Sequence, residues 1–308
     1  MNIVFMGTPE FAVPCLERLI SDGHNVTGVF TQPDKPKGRG HKMQFPPVKQ
    51  CAVDAGIPVY QPLKMRDGEA LSILHKLNPD LIIVVAYGKI LPQEILDFPK
   101  YGCINIHASL LPRYRGAAPI QWSVLNGESV SGVTSMQMDV GLDTGDMLLS
   151  KSVGIGANET AGELHDKLSF LGAQVMSETI DLLMQNKLNP VEQNDADSNY
   201  SPMLSKELCP IDWNDTAQAV HNKVRGLSPW PVATTKWGDK TVKIHKTVVY
   251  NNLSGKPGEV LISDRKLVVA CGSSTAVEIV NLQLEGKKAM NADDFLRGNP
   301  IEIGTMLK

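Results

Sequence analysis

Short apolar runs alternate with helical patterns across the first half of the chain. One run, 81–86, is apolar on both faces, and five short β-like runs crowd the last third. Together they predict an α/β fold: a Rossmann-like open, parallel-type sheet with helices on both faces, followed by a small OB-like β-barrel. At 308 residues the chain is long enough for two domains.

Taken in order, strands are expected at Asn2–Met6, Asn25–Phe30, Leu81–Ala86 and Cys103–His107, with helices at Ala12–Asp22, Pro47–Ala55 and Glu69–Leu77 between them. Leu81-Ile82-Ile83-Val84-Val85-Ala86 suits a central parallel strand, because helices cover such a strand on both sides. Gly132–Gln137 and Met147–Val153 read as further strands. From Thr160 to Gln185, Leu164, Leu168, Leu171 and Val175 fall on one face at 3/4 spacing, with Asn158 or Thr160 as the cap. Residues 189–205 are rich in Asn, Asp, Ser and Pro and suit a linker. A helix near Thr216–Val224 then precedes short strands at Val232–Trp237, Thr241–Tyr250, Glu259–Ile262, Lys266–Ala270 and Ala276–Leu282. The expected division is therefore a first domain at 1–188, a linker at 189–205 and a barrel at 206–308.

Hydrophobic content of 42% and charged content of 20% are ordinary for a soluble globular protein. A net charge of -3 excludes a generally basic nucleic-acid coat. The charge is uneven, however: residues 206–308 hold 14 Lys/Arg against 11 Asp/Glu, and residues 1–205 hold 16 against 22. The five cysteines form no CxxC pair, which argues against a disulfide framework or zinc knuckle and for a reducing compartment. No leader precedes Asn2-Ile3-Val4-Phe5-Met6, and no apolar run approaches the roughly 20 residues of a membrane span. A soluble cytoplasmic protein is expected.

The densest chemistry lies in Cys103–Gly116, where a strand ends with Asn105 and His107 two residues apart. At that spacing both side chains leave one face, at the sheet edge where open α/β folds hold ligands. An amide and an imidazole there can share one carbonyl oxygen; a satisfied structural Asn–His pair is the alternative. Downstream, Gly141 and Gly145 bracket Leu142-Asp143-Thr144, so the backbone can turn sharply and present a carboxylate inward. A carboxylate beside an imidazole fixes its tautomer, as acid–base work requires. An ordinary acidic turn, or a metal site, is the competing reading of the loop. Gly7-Thr8-Pro9 lacks the spacing of a phosphate loop and reads as well as a helix cap. Trp230, between two prolines, is expected to pack in the core, with base stacking as the alternative.

Asn105-x-His107-x-Ser109-Leu110-Leu111-Pro112 followed by Leu142-Asp143-Thr144-Gly145 resembles the signature of the 10-formyltetrahydrofolate-dependent formyltransferases. The resemblance runs essentially end to end, through Phe5-Met6-Gly7-Thr8-Pro9-Glu10-Phe11-Ala12, Thr31-Gln32-Pro33-Asp34, Gly38-Arg39-Gly40, Val85-Ala86-Tyr87-Gly88-Lys89-Ile90-Leu91-Pro92, Arg115-Gly116-Ala117-Ala118-Pro119-Ile120 and Ile211-Asp212-Trp213. It implies Asn105, His107 and Asp143 as catalytic residues and Ser109, Leu110, Leu111 and Pro112 as the folate-carrier site. It also implies a tRNA-contacting insertion at Asp34–Lys49, with Lys35, Lys37, Arg39 and Lys42 on it and Lys49 and His41 beside them. The implied reaction moves formyl from 10-formyltetrahydrofolate to the α-amine of methionine on initiator methionyl-tRNA, in translation initiation. The implied protein is a cytoplasmic monomer that binds no membrane and no metal. Other folate formyltransferases or hydrolases would share the trio; the basic insertion and net-basic C-terminal third favour tRNA. A non-enzymatic RNA-binding module would have no need of all three residues.

Overall fold

A computed structural model of the chain describes residues 1–37, 42–250 and 252–308, with Lys37 and Lys42 described through their backbones alone. The elements, in order, are β1 (Asn2–Gly7), α1 (Val13–Ser21), β2 (Asn25–Phe30), β3 (Lys35–Lys37), β4 (Lys42–Gln44), α2 (Pro47–Asp54), β5 (Val59–Tyr60), α3 (Glu69–Leu77), β6 (Leu81–Val85), α4 (Gln93–Leu96), β7 (Cys103–His107), β8 (Arg115–Gly116), α5 (Pro119–Leu125), β9 (Val130–Gln137), β10 (Met147–Gly154) and α6 (Ala161–Met184). Then come β11 (Tyr200–Ser201), α7 (Ala217–Gly226), β12 (Ala233–Trp237), β13 (Lys240–Tyr250), β14 (Val260–Ser263), β15 (Leu267–Cys271), β16 (Thr275–Leu284), β17 (Met290–Asn291) and α8 (Ala292–Gly298). The chain forms two compact units, one of residues 1–116, 131–153 and 165–200, the other of 117–130, 154–164 and 201–308.

In the first unit seven strands lie in the order β10-β9-β7-β6-β1-β2-β5. The β1/β2, β1/β6, β2/β5 and β6/β7 pairs are parallel, as the βαβ alternation predicts. Strand β9 runs antiparallel to β7, a reversal that apolar periodicity does not reveal. From β1 the chain steps to β2 on one side and later to β6 on the other. That makes a switch point at the carboxyl ends of β1 and β6, the position where such sheets hold ligands. Gly7 sits there; a Cβ on it would lie 2.9 Å from the Val85 carbonyl oxygen.

Every residue of β6 is buried, as its two-sided apolar run requires. On one face Val4, Met6, Ile82 and Val84 pack with Ala70 and Leu74 of α3 and Ile95 and Leu96 of α4. On the other, a Cβ at Gly172 of α6 would sit 3.4 Å from Ile106 and 3.7 Å from Cys15 of α1. Leu168, Val175, Met176 and Ile180 of that helix are fully buried, while Leu171 is half-buried. Each such apolar side chain contributes about 1.5–3 kcal/mol on burial.

One local expectation needs correction. Thr8 caps no helix: its hydroxyl reaches the Tyr87 carbonyl at 3.3 Å and accepts from the Gln32 amide at 3.2 Å, lacing three strand ends together. The insertion between β2 and α2 contains a hairpin, with Lys35 opposite Gln44 and Lys37 opposite Lys42.

In the second unit β12-β13-β16-β15-β14 form an antiparallel sheet, with β17 on β16. Residues 304–308 complete it: Lys308 exchanges hydrogen bonds with Lys236 of β12, and Thr305 accepts from Val260 of β14. The two edge strands are thus joined through one short segment, which is how a small sheet disposes of its edges. Inside lie Val242, Ile244, Val269, Val277, Ile279, Trp213 and Phe295. The cap of α7 is Thr216, whose hydroxyl accepts from the Ala219 amide at 3.2 Å. Thr160 and Glu163 form a reciprocal capping box, with Thr160 N to Glu163 at 2.8 Å and Glu163 N to Thr160 at 3.2 Å. Trp230 is 58% exposed, so its expected core role is overturned; its flanking prolines read equally well as a surface turn.

Candidate active site

Asn105 and His107 occupy β7, whose register sets Asn105 between Val84 of β6 and Met136 of β9. His107 is buried, and Asn105 is half-buried with no side-chain hydrogen bond among the described residues. The His107 Nε2 lies 2.9 Å from the Tyr114 carbonyl oxygen, so that nitrogen carries a proton and donates. Its Nδ1 faces the Asp143 carboxylate at 3.6 Å, a charge contact too long for a good hydrogen bond. The structure therefore brings the imidazole and carboxylate together, from positions 36 residues apart in the sequence.

The Asp143 loop owes its shape to its neighbours. Asp143 has φ +55, a left-handed conformation that a non-glycine residue adopts when its surroundings impose it. Its Oδ2 accepts from the Gly116 amide at 2.8 Å, which aims the carboxylate inward. Asp139 accepts from Thr144 Oγ1 at 2.7 Å and from the Gly141 amide at 2.9 Å, closing the turn. A Cβ on Gly145 would meet the Gln137 carbonyl oxygen at 1.8 Å, and one on Gly141 would meet Thr144 Oγ1 at 1.9 Å. The bracketing glycines are thus required sterically. No group of metal-ligating side chains is found among the described residues.

The segment Ser109–Pro112 is held from within. Ser109 is buried and its hydroxyl donates to the Arg113 carbonyl at 2.7 Å. Thr134 Oγ1 donates to the Ser109 carbonyl at 2.8 Å and accepts from the Leu111 amide at 3.2 Å. Leu110 and Pro112 are half-buried, so they are the members of the run with side-chain surface to offer.

Lys35 is exposed on the hairpin. Arg39 and His41 lie outside the described residues, as do the side chains of Lys37 and Lys42. Lys49 is not a free cation: it pairs with Asp34 at 2.7 Å and with Gln61 at 2.9 Å. The Lys49 ammonium beside it holds the Asp34 carboxyl below the usual carboxylate range, with Gln61 assisting. Asp34 and Lys49 flank the hairpin, so this contact pins its two ends. Sequence reading missed Lys49's partner and also Gln193, which donates to the carbonyls of Asp143 and Gly145 at 2.9 and 2.7 Å. A lone Gln in a polar stretch carries no pattern that could have found it. A separate open groove of about 940 Å³, between α1, α2 and α6, includes none of the trio.

A family model described as "Formyl transferase" matches residues 1–180, and one described as "Formyl transferase, C-terminal domain" matches 203–300. A methionyl-tRNA formyltransferase of Alkaliphilus oremlandii is 51% identical over 308 residues, covering 100% of this chain and 99% of the relative. A second, of Citrifermentans bemidjiense, is 54% identical, covering 100% and 96%. Among solved structures, the N-formyltransferase from Helicobacter canadensis in complex with folinic acid and dTDP-3-aminofucose superposes with a TM-score of 0.71 at 20% identity, covering 90% of this chain and 98% of that one. A sugar 3N-formyl transferase, WlaRD, in the presence of dTDP and 5-N-formyl-THF, gives 0.70 at 20% identity, covering 94% and 99%. These two likenesses bear on the fold alone. No helix among the described residues is long and apolar enough to cross a membrane.

Proposed function

Because this chain belongs to the formyl transferase family, we propose that it moves the formyl group of 10-formyltetrahydrofolate to the α-amine of methionine on initiator methionyl-tRNA. The product, N-formylmethionyl-tRNA, serves translation initiation. The observation that carries the mechanism is the His107–Asp143 contact at the carboxyl edge of the sheet, beside the Asn105 amide, which has no side-chain hydrogen bond among the described residues.

In this mechanism the neutral amine attacks the formyl carbon and negative charge gathers on the formyl oxygen. The new N–C bond forms, the bond from carbon to the folate nitrogen breaks, and that nitrogen takes up a proton as the amine loses one. Asn105 donates to the oxygen without surrendering an existing bond. His107 donates after exchanging the Tyr114 carbonyl for the substrate oxygen. Such donors are commonly worth about a hundredfold or more in rate each. Asp143 holds the imidazole and takes the amine proton, directly or through water. Ser109 to Pro112 form one wall of the folate site, Leu110 and Pro112 with their side chains and Ser109 by keeping the backbone in place.

Residues 1–188 carry this chemistry in our reading, and 206–308, joined through 189–205, supply phosphate contacts to the tRNA. The insertion at Asp34–Lys49, with Lys35, Lys37, Arg39 and Lys42 in its sequence, meets the acceptor end. The protein acts in the cytoplasm as a monomer. The test is formylation with methionyl-tRNA, a dTDP-amino sugar and free methionine as competing acceptors. Methionyl-tRNA should be preferred, and folded H107A and D143N proteins should lose about a hundredfold or more in turnover. Preference for the sugar would overturn the acceptor, and full activity in either variant would remove that residue from the mechanism.

A further inference from the structure

The segment 191–199 has the composition of a tether, but its contacts are those of a clasp on the catalytic loop. Val191 exchanges backbone hydrogen bonds with Met147, each 2.9 Å, at the start of β10. Two residues on, Gln193 is 8% exposed and spends its whole amide on the site. Its Nε2 donates to the carbonyl oxygens of Asp143 (2.9 Å) and Gly145 (2.7 Å), and its Oε1 accepts from Arg115 Nε at 3.0 Å. Arg115 in turn pairs with Asp195 at 2.8 Å, and its amide donates to the Asn199 carbonyl at 3.0 Å. Gly116, whose amide holds the Asp143 carboxylate, is the next residue along.

We infer that Gln193 is a positioning residue: it fixes the backbone from which Asp143 reaches His107, and so sets the turnover rate without touching either substrate. The inference rests on Asp143 being catalytic, as proposed above. Asp143 lies in the left-handed region, a conformation that persists only where several contacts over-determine it. Gln193 satisfies two carbonyls of that loop, that of Gly145 buried and that of Asp143 half-buried, from a single nitrogen. Without it the loop loses the donor to the carbonyl of Asp143 and the donor to that of Gly145, while the Gly116 contact to the carboxylate remains. Arg115 links this arrangement to the Tyr114–Gly116 segment, whose Tyr114 carbonyl receives the proton of His107. One side chain thus connects the segment holding the imidazole's partner to the turn holding the carboxylate.

Four full-length variants test this: Q193A, which removes every contact; Q193E, which keeps the volume and the acceptor for Arg115 but replaces the donor with a carboxylate; D143N; and the double variant Q193A/D143N. Turnover, both KM values and the melting temperature are measured for each. We expect Q193A and Q193E to lose about tenfold to a hundredfold in kcat, with KM for the folate and for methionyl-tRNA within about threefold of wild type. In single-turnover assays, adding Q193A to D143N should change the residual rate by less than about threefold, because the carboxylate's placement no longer matters. Wild-type kcat in a folded Q193E protein overturns the inference. So does a loss in Q193A that appears in KM rather than kcat, or one that multiplies fully with D143N. If D143N itself keeps wild-type turnover, the catalytic reading falls and this inference with it. If D143N is impaired while Q193E is not, only the positioning role is lost.

Discussion

A single methyl group at position 145 should separate activity from folding. In Gly145→Ala the new Cβ would sit 1.8 Å from the Gln137 carbonyl oxygen and 2.9 Å from its carbon, both backbone atoms at the end of β9. The nearest approach that real Cβ atoms tolerate is 3.0 Å, so loop and strand must part by about 1.2 Å. No flexible side-chain tip is available to yield. The strand is anchored by its pairing with β7, so the loop must give, and it carries Asp143, two residues away. At 3.6 Å the His107–Asp143 contact has no slack to absorb such a shift. A misplacement of about 1 Å in a catalytic constellation can cost about a hundredfold in rate. Overpacking of this kind costs about 1–3 kcal/mol, which a two-unit protein survives with a melting temperature lowered by several degrees. The assay pairs kcat for formylation with a thermal melt. A G145A protein with wild-type kcat would refute the argument, since it would mean that the position of the Asp143 loop does not govern the chemistry.

Two further outcomes follow from burial and charge. Burial pushes the Cys15, Cys103 and Cys271 thiols up to about 12, and Cys209 is raised and buried as well; Cys51 is also raised, by partial burial and by nearby Glu17 and Asp54, but it is half-buried on α2 where the other four are buried. An aromatic disulfide reagent at pH 8 should therefore modify one thiol first, and Cys51→Ser should abolish that fast phase; a fast phase surviving in C51S contradicts the burial pattern. Asp34 is more acidic in the fold than in the unfolded chain, so its stabilising effect is complete above its unfolded pKa of about 3.9 and is lost as pH falls through the lower folded value. Urea denaturation of Asp34→Asn should accordingly show a deficit against wild type at pH 7 that narrows towards pH 3, and a gap constant with pH would rule out the Lys49 contact as its source.

Much of the fold was legible because its signals are local. The two-sided apolar run 81–86 reads as a covered strand, which the structure ends at Val85, and β13 alternates buried and exposed residues at Val242, Lys243 and Ile244. The glycines around Asp143 announced a sharp turn. Features that depend on distant partners were not legible. The reversal of β9 depends on its β7 neighbour, and the roles of Thr8 and Lys49 depend on Tyr87, Gln32, Asp34 and Gln61. Gln193 is the clearest case, since its position on the chain says polar tether and its three hydrogen bonds say otherwise. A polar residue's function is set by what the fold places opposite it, and periodicity holds no record of that.

The interleaving of the two units has a practical result for anyone wishing to take the protein apart. Residues 117–130 and 154–164 belong with 201–308, so no single scissile bond frees one half intact. Trp122 donates to the Pro202 carbonyl at 2.8 Å across 80 residues, and His221 reaches the Ala157 carbonyl at 3.0 Å across 64. A fragment ending near residue 205 would carry orphaned pieces such as Ile120 and Val124 with their apolar surfaces uncovered, and a fragment starting there would lack the helix they form. Such halves should be sticky and slow to mature, because closures this long are entropically late events. Dissection of this enzyme is better done by point substitution, or by a graft that restores all three stretches at once.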